Sequence, residues 1–283
     1  MQKKVFDHIG IELPVIGQGT WNMPESGAAL AEAKRALRRG IELGMTHLDT
    51  AEMYGDGRVE EILGDTLAGL PRESLFITTK VLPSNATYKG TLTACDRSLR
   101  RLKLEYLDLY LLHWPSSHPL EETMKALEKL VEDGKTRCIG VSNFDLDELR
   151  EAQSYLRKVP LACNQVLYHL RERGIEHEVL PYCEREKIAV VAYTPFGRGR
   201  FPKNAIGDDG VIGGIARKHH ATPRQIILAF LTRGPALFTI PKAATIAHVE
   251  ENAAAGDVLL DADDIAQIDN AFPVGDKGSL ATL

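Results

Sequence analysis

The sequence predicts an α/β fold of the (β/α)8 TIM-barrel kind. Three observations carry that reading. Short apolar runs alternate with longer amphipathic stretches, eight of each can be counted, and the alternation crosses 283 residues without a composition break, linker or low-complexity segment. A doubly wound sheet is the alternative for any strand–helix alternation, and the unbroken eightfold pattern favours the barrel. Chains of this length routinely fold as one α/β barrel, so residues 1–283 are read as a single domain.

The opening dozen residues place His8-Ile9-Gly10 between two short β-like runs, a hairpin expected to plug the barrel bottom. The first barrel strand is expected from Pro14 to Gly17. Apolar runs at 46–49, 75–79, 107–112, 137–141, 161–166, 188–193 and 236–240 lack alternation, as strands buried on both faces do. Helical patterns fall at 28–43, 58–69, 91–101, 120–131, 145–156, 175–186, 224–233 and 246–255. The clearest has Leu120, Met124, Leu127, Leu130 and Val131 at three- and four-residue steps, with Asp133-Gly134 as its stop. The stretch 197–210 holds five glycines and prolines among charges and reads as a long loop near the top face.

Composition excludes several function classes. A net charge of −5 gives no basic footprint for nucleic acid. No apolar run approaches the length that spans a bilayer, and Met1 to His8 lacks the apolar stretch of a secretory signal. Cys95, Cys138, Cys163 and Cys183 form no C-x-x-C pair, so they are expected as buried thiols in a reducing, cytoplasmic compartment. No Cys or His pair has zinc-ligand spacing except the adjacent His219-His220, which sits in a polar helix end, and no metal is expected.

In a barrel the C-terminal ends of the strands converge on one mouth. Read in order, those ends deliver Asp49 with Tyr54 in the following loop, then Lys80, then His113. Each alone is bland: a helix cap, a solvated amine, a structural imidazole. Together they can protonate a carbonyl oxygen. A phenol has a pKa near about 10 and is a sluggish acid at neutral pH. An ammonium stabilises its phenolate and is expected to lower that pKa, while a carboxylate fixes the ammonium. Hence Tyr54 is the proton donor, Lys80 its partner and Asp49 the anchor, with neutral His113 orienting the substrate oxygen. None of these groups moves electrons, so a hydride source must bind beside them.

Asp49-Thr50-Ala51-Glu52-Met53-Tyr54, Lys80 and Leu111-Leu112-His113-Trp114 resemble the active-site signatures of the aldo-keto reductase superfamily. The similarity continues through Gly140-Val141-Ser142-Asn143-Phe144, Asn164-Gln165-Val166, Ala192 to Gly197 and Ile240-Pro241-Lys242, in family order across essentially the whole chain. It is strongest to the bacterial branch that contains methylglyoxal reductases, across Asn164 to His169 and Pro241 to His248.

The resemblance implies NADPH as cofactor, with NADH the weaker alternative, bound without a Rossmann domain. It accounts for the absence of a G-x-G-x-x-G after a strand, the nearest cluster being Gly207 to Gly214. It implies that Ser142, Asn143 and Gln165 hold the carboxamide, that Tyr193 stacks on the nicotinamide, and that Thr194, Pro195, Phe196 and Gly197 follow the pyrophosphate. Thr20, Trp21, Asp49, Ile240 and Pro241 complete the implied site. Lys242 is implied to meet the 2′-phosphate, and Glu251 and Asn252 the adenine. Many relatives place Ser or Asn after that lysine and Arg six residues beyond it. Here those positions hold Ala243 and His248, which narrows the expected margin for NADPH.

Trp21, Tyr54, His113 and Trp114 are expected to contact the substrate, the two tryptophans as apolar walls. Leu280 or Leu283 in the tail is expected to form one pocket edge. The partner implied is a small aldehyde, ketone or α-dicarbonyl such as methylglyoxal, and the implied state is a monomer. A Schiff-base aldolase would use Lys80 but leaves Tyr193 and Ser142-Asn143 without purpose. A nucleotide-binding sensor without turnover would not need the Asp49, Tyr54, Lys80 and His113 set.

Overall fold

The computed structural model describes residues 1–199, 207 and 210–283. It begins with an antiparallel hairpin of β1 (Lys3–Phe6) and β2 (Ile11–Pro14). Among the described residues one parallel sheet follows, built in chain order from β3 (Gln18–Gly19), β4 (His47–Asp49), β5 (Phe76–Val81), β6 (Leu107–Leu112), β7 (Thr136–Ser142), β8 (Leu161–Leu167), β9 (Ala189–Tyr193) and β10 (Leu237–Thr239). Neighbours in sequence are neighbours in the sheet. The first and last strands also meet: Gly17 N–H donates to the Thr239 carbonyl at 2.8 Å and Gly19 N–H to that of Pro241 at 3.1 Å. The sheet is therefore a closed barrel.

Strand β6 explains why the apolar runs lack alternation. Its six residues are all buried. Leu109 and Leu111 point into the barrel interior with Phe76 and Phe238, while Tyr110 and Leu112 join the cluster under the surrounding helices. Both faces demand apolar side chains, because a parallel sheet in a barrel has no solvated face. Phe6 closes the bottom as expected of the hairpin, fully buried with its ring 5.3 Å from Phe76 and 5.9 Å from Phe238. Burying such a side chain stabilises the fold by roughly 1.5–3 kcal/mol.

The helices of the outer layer are α1 (Gly27–Glu42), α2 (Arg58–Leu67), α3 (Tyr88–Leu102), α4 (Leu120–Glu132), α5 (Leu146–Tyr155), α6 (Val179–Arg185), α7 (Val211–Lys218), α8 (Pro223–Leu231), α9 (Ile246–Ala255) and α10 (Ala262–Ala271). Side-chain caps fix several starts. Thr87 accepts from Gly90 N–H and starts α3 three residues before the apolar periodicity does. Asp145 and Thr222 form capping boxes for α5 and α8.

Three expectations are corrected. The first barrel strand is Gln18–Gly19 and not Pro14 to Gly17, because Pro14 ends the hairpin. Gln18 is buried although polar: its amide donates to the carbonyls of Leu37 and Met45 at 3.2 and 3.0 Å. The stretch 175–186 splits into a 3-10 turn, Gly174–Glu176, and the short α6. Helices α7 and α10 were not anticipated; α10 buries only Asp264 and Ile268, too few positions to give a periodic signal. Of the loop expected over 197–210, residues 200–206, 208 and 209 lie outside the described residues. All four cysteines are buried free thiols. No described helix is long and apolar enough to cross a membrane.

Candidate active site

Barrel geometry delivers the chemistry to one mouth. Asp49 ends β4, Lys80 is near the end of β5, His113 follows β6, Ser142 ends β7, Gln165 lies in β8 and Tyr193 ends β9. Tyr54 opens a tight turn after β4, and the chain reverses there through left-handed Gly55 (φ 56°) and Asp56 (φ 51°). Glycine and aspartate are among the few residues that tolerate this region. The mouth holds a cavity of about 780 Å³, with Asp49, Tyr54, His113, Trp114, Gln165 and Tyr193 among its walls.

Behind it lies a buried ion pair. Lys80 is wholly buried, and its ammonium donates to Asp49 Oδ1 at 2.6 Å and to the Thr50 carbonyl at 2.7 Å. The other carboxylate oxygen accepts from Gln165 Nε2 at 2.7 Å. Asp49 keeps the Lys80 ammonium above its ordinary pKa against burial, while burial raises the Asp49 carboxyl. Lys80 does not line the cavity, so it cannot serve as the accessible amine that a Schiff-base aldolase requires.

The Lys80 ammonium lies 5.3 Å from the centre of the Tyr54 ring. The expected net lowering of the phenol pKa is corrected here. Burial raises it, and the opposing pull of Lys80 does not overcome that. Tyr54 therefore holds its proton throughout the neutral range. His113 is as neutral as expected, pushed down to about 2 by burial and then by the Lys80 charge. Its ring lies 6.0 Å from that of Tyr54 and stacks on Trp114 at 3.8 Å.

A second polar chain runs along the opposite wall. Tyr193 OH donates to Asn143 Oδ1 at 2.7 Å. The Asn143 amide donates to the His113 carbonyl and to Ser142 Oγ, each at 3.1 Å. Ser142 Oγ donates to the Gln165 carbonyl at 2.8 Å. Asn143 sits at φ 63°, a conformation asparagine accepts more readily than most residues, and this turns its amide back toward the mouth.

The structure brings together most of the residues singled out in the sequence. Trp21, Thr194, Pro195, Phe196, Ile240 and Lys242 also line the cavity. Thr20 instead donates its hydroxyl to the Asp49 carbonyl at 2.9 Å and supports the mouth from beneath. Gly197, Pro241, Ala243, His248, Glu251 and Asn252 do not line the cavity. His248 is exposed in the first turn of α9, Glu251 accepts from Thr222 at 2.7 Å, and Asn252 Oδ1 is buried without a partner among the described residues. Leu283 supplies the pocket edge, whereas Leu280 packs against the core. Sequence reasoning missed Gly19, Asn22, Met53 and Arg198, which line the cavity from loops and from the short first strand. Arg198 stacks over Trp21 at 4.8 Å, a contact that no local pattern announces.

Comparisons with known proteins follow the same lines. The sequence model of the aldo/keto reductase family matches residues 15–272. The chain is 44% identical to the methylglyoxal reductase YeaE of Escherichia coli over 282 residues, 99% of either chain. It is 37% identical to the glyoxal reductase of Bacillus subtilis, over 93% of this chain and 90% of that one. An aldo-keto reductase from Klebsiella pneumoniae, solved in complex with NADPH, superposes with a TM-score of 0.92 at 41% identity and full coverage of both chains.

Proposed function

Because the chain belongs to the aldo/keto reductase family, we propose that it is an NADPH-dependent reductase of small aldehydes, ketones and α-dicarbonyls, methylglyoxal among them, with Tyr54 as the proton donor. The observation that carries this reading is the wholly buried Lys80 ammonium, pinned by Asp49 and set beside a protonated phenol at the cavity floor.

Tyr54 holds the proton at its hydroxyl and gives it to the carbonyl oxygen. Lys80 stabilises the phenolate left behind, and Asp49 with Gln165 keeps the ammonium in place. His113, neutral and therefore able to donate one N–H, orients the same oxygen. Trp21 and Trp114 wall the site with apolar surface and exclude water. When bound, the reduced nicotinamide supplies the hydride.

The residues present fit that cofactor. Gln165 directs its amide N–H to Asp49, which leaves its carbonyl oxygen for the carboxamide, with Ser142 and Asn143 beside it. The Tyr193 ring is held by its bond to Asn143 and presents a stacking face to the cavity. Lys242 pairs with no carboxylate among the described residues and is suited to a phosphate. The buried, unpartnered Asn252 Oδ1 is suited to a donor such as the adenine amine.

The test is Tyr54→Phe, followed by the loss of nicotinamide absorbance with methylglyoxal. Turnover should fall by about 100-fold or more, the scale of general-acid catalysis, while NADPH still quenches protein fluorescence. An undiminished rate would remove Tyr54 from the role of proton donor.

A further inference from the structure

We propose that Arg224 reads the 2′-phosphate of the dinucleotide and supplies the permanent positive charge that position 248 lacks. The inference rests on the NADPH reading and adds a residue to it.

Arg224 lies in the first turn of α8, and its guanidinium carbon sits 4.0 Å above the centre of the Phe196 ring. Phe196 lines the cavity, as Lys242 does. Phe196 and Ala243 both pack on the hydrophobic cluster that joins Leu228 of α8 to Val249 of α9. The platform under Arg224 is thus continuous with the segment that carries Lys242 and His248.

The guanidinium is held and only loosely paired. Its nearest carboxylate oxygen is Glu251 Oε2, 3.6 Å from Nε and beyond hydrogen-bond reach, while Glu251 Oε1 is taken by Thr222 at 2.7 Å. Among the described residues its terminal N–H groups donate to no acceptor, and its side chain is 44% exposed. Stacking fixes the plane of the fork and leaves the fork open. Lys242, whose ammonium burial lowers, has no carboxylate partner among the described residues either. Lys242 in the cavity wall and Arg224 over its Phe196, the latter with one carboxylate oxygen no nearer than 3.6 Å, suit a dianion in a chain of net charge −5. Asn252 neighbours Glu251 in the chain, and its Oδ1, unpartnered among the described residues, suits an amine donor such as that of the adenine.

Binding of 2′,5′-ADP and of 5′-AMP, measured by titration calorimetry, tests this without turnover. Arg224→Ala should weaken 2′,5′-ADP about tenfold, the scale of one charged hydrogen bond, and shift 5′-AMP less than about twofold. Arg224→Lys, which keeps the charge, should recover part of the loss at low salt, and thermal unfolding checks that both variants fold. An unchanged affinity for 2′,5′-ADP in Arg224→Ala overturns the inference, as does an equal loss for both ligands. If the unmutated protein binds neither 2′,5′-ADP nor NADPH, the cofactor reading itself falls. If it binds both and Arg224→Ala is indifferent, only Arg224 loses its role.

Discussion

Gln165 donates its side-chain amide to Asp49 at 2.7 Å across 116 residues of sequence. The residue expected to hold a cofactor carboxamide is therefore also the second clamp on the carboxylate that fixes Lys80. The proposed cofactor site and the proposed proton-donor site share one hydrogen-bonded unit, and a change in either should be felt in the other.

The Asp49–Lys80 pair is buried, so breaking it from one side leaves a charge without its partner. Lys80→Met should destabilise the fold by about 3–5 kcal/mol, and Asp49→Leu by a similar amount. The double variant removes both charges and should be more stable than either single one in urea unfolding. All three should lose turnover. If the two single costs simply add in the double variant, the pair is not the coupled unit described.

Two histidines tie stability to pH. His47 is pushed down to about 3 and His113 to about 2, each by burial first and the Lys80 charge second. Both lie below the unfolded value of about 6.5, so the unfolded chain takes up protons that the native protein refuses. The stability they contribute is complete above about pH 6.5 and is lost as pH falls toward the folded values. His47→Gln should flatten the fall in unfolding free energy between about pH 6 and 4 by roughly 1.4 kcal/mol per pH unit. Turnover should show no limb near about pH 6.5, since His113 stays neutral and Tyr54 protonated there. A limb at that pH that vanishes in His113→Gln would mean that the ring titrates.

Gly140 occupies a close approach between β7 and β8, where the register shifts. A Cβ there would stand 2.5 Å from the Cys163 carbonyl oxygen and 2.6 Å from Leu111 Cδ2. Neither backbone nor packed core can yield cheaply. Gly140→Ala should cost about 1–3 kcal/mol and, by shifting Ser142 and Asn143 two and three residues on, weaken NADPH binding. Thermal unfolding and fluorescence titration check both, and an unperturbed melting point would show that the strands can part.

Much of this was legible in the sequence. β6 was read to the residue, because six consecutive buried positions leave an uninterrupted apolar run. The first barrel strand was misplaced because Gln18, buried and satisfied by Leu37 and Met45, looks polar to any pattern. Arg198 and Arg224 carry no signal of their own; each matters through the aromatic ring beneath it, Trp21 or Phe196.

The chain by itself determined the barrel and the proposed catalytic set of Asp49, Tyr54, Lys80 and His113. Parallel strands closed in order send every strand end to the same mouth, so position along the sequence already implies position in the site. Only the tertiary structure decided that the Tyr54 phenol is raised rather than lowered, that Gln165 shares Asp49 with Lys80, and that Arg224 stands open above Phe196. Those properties depend on burial and on contacts between distant segments, and both come into being only when the barrel closes.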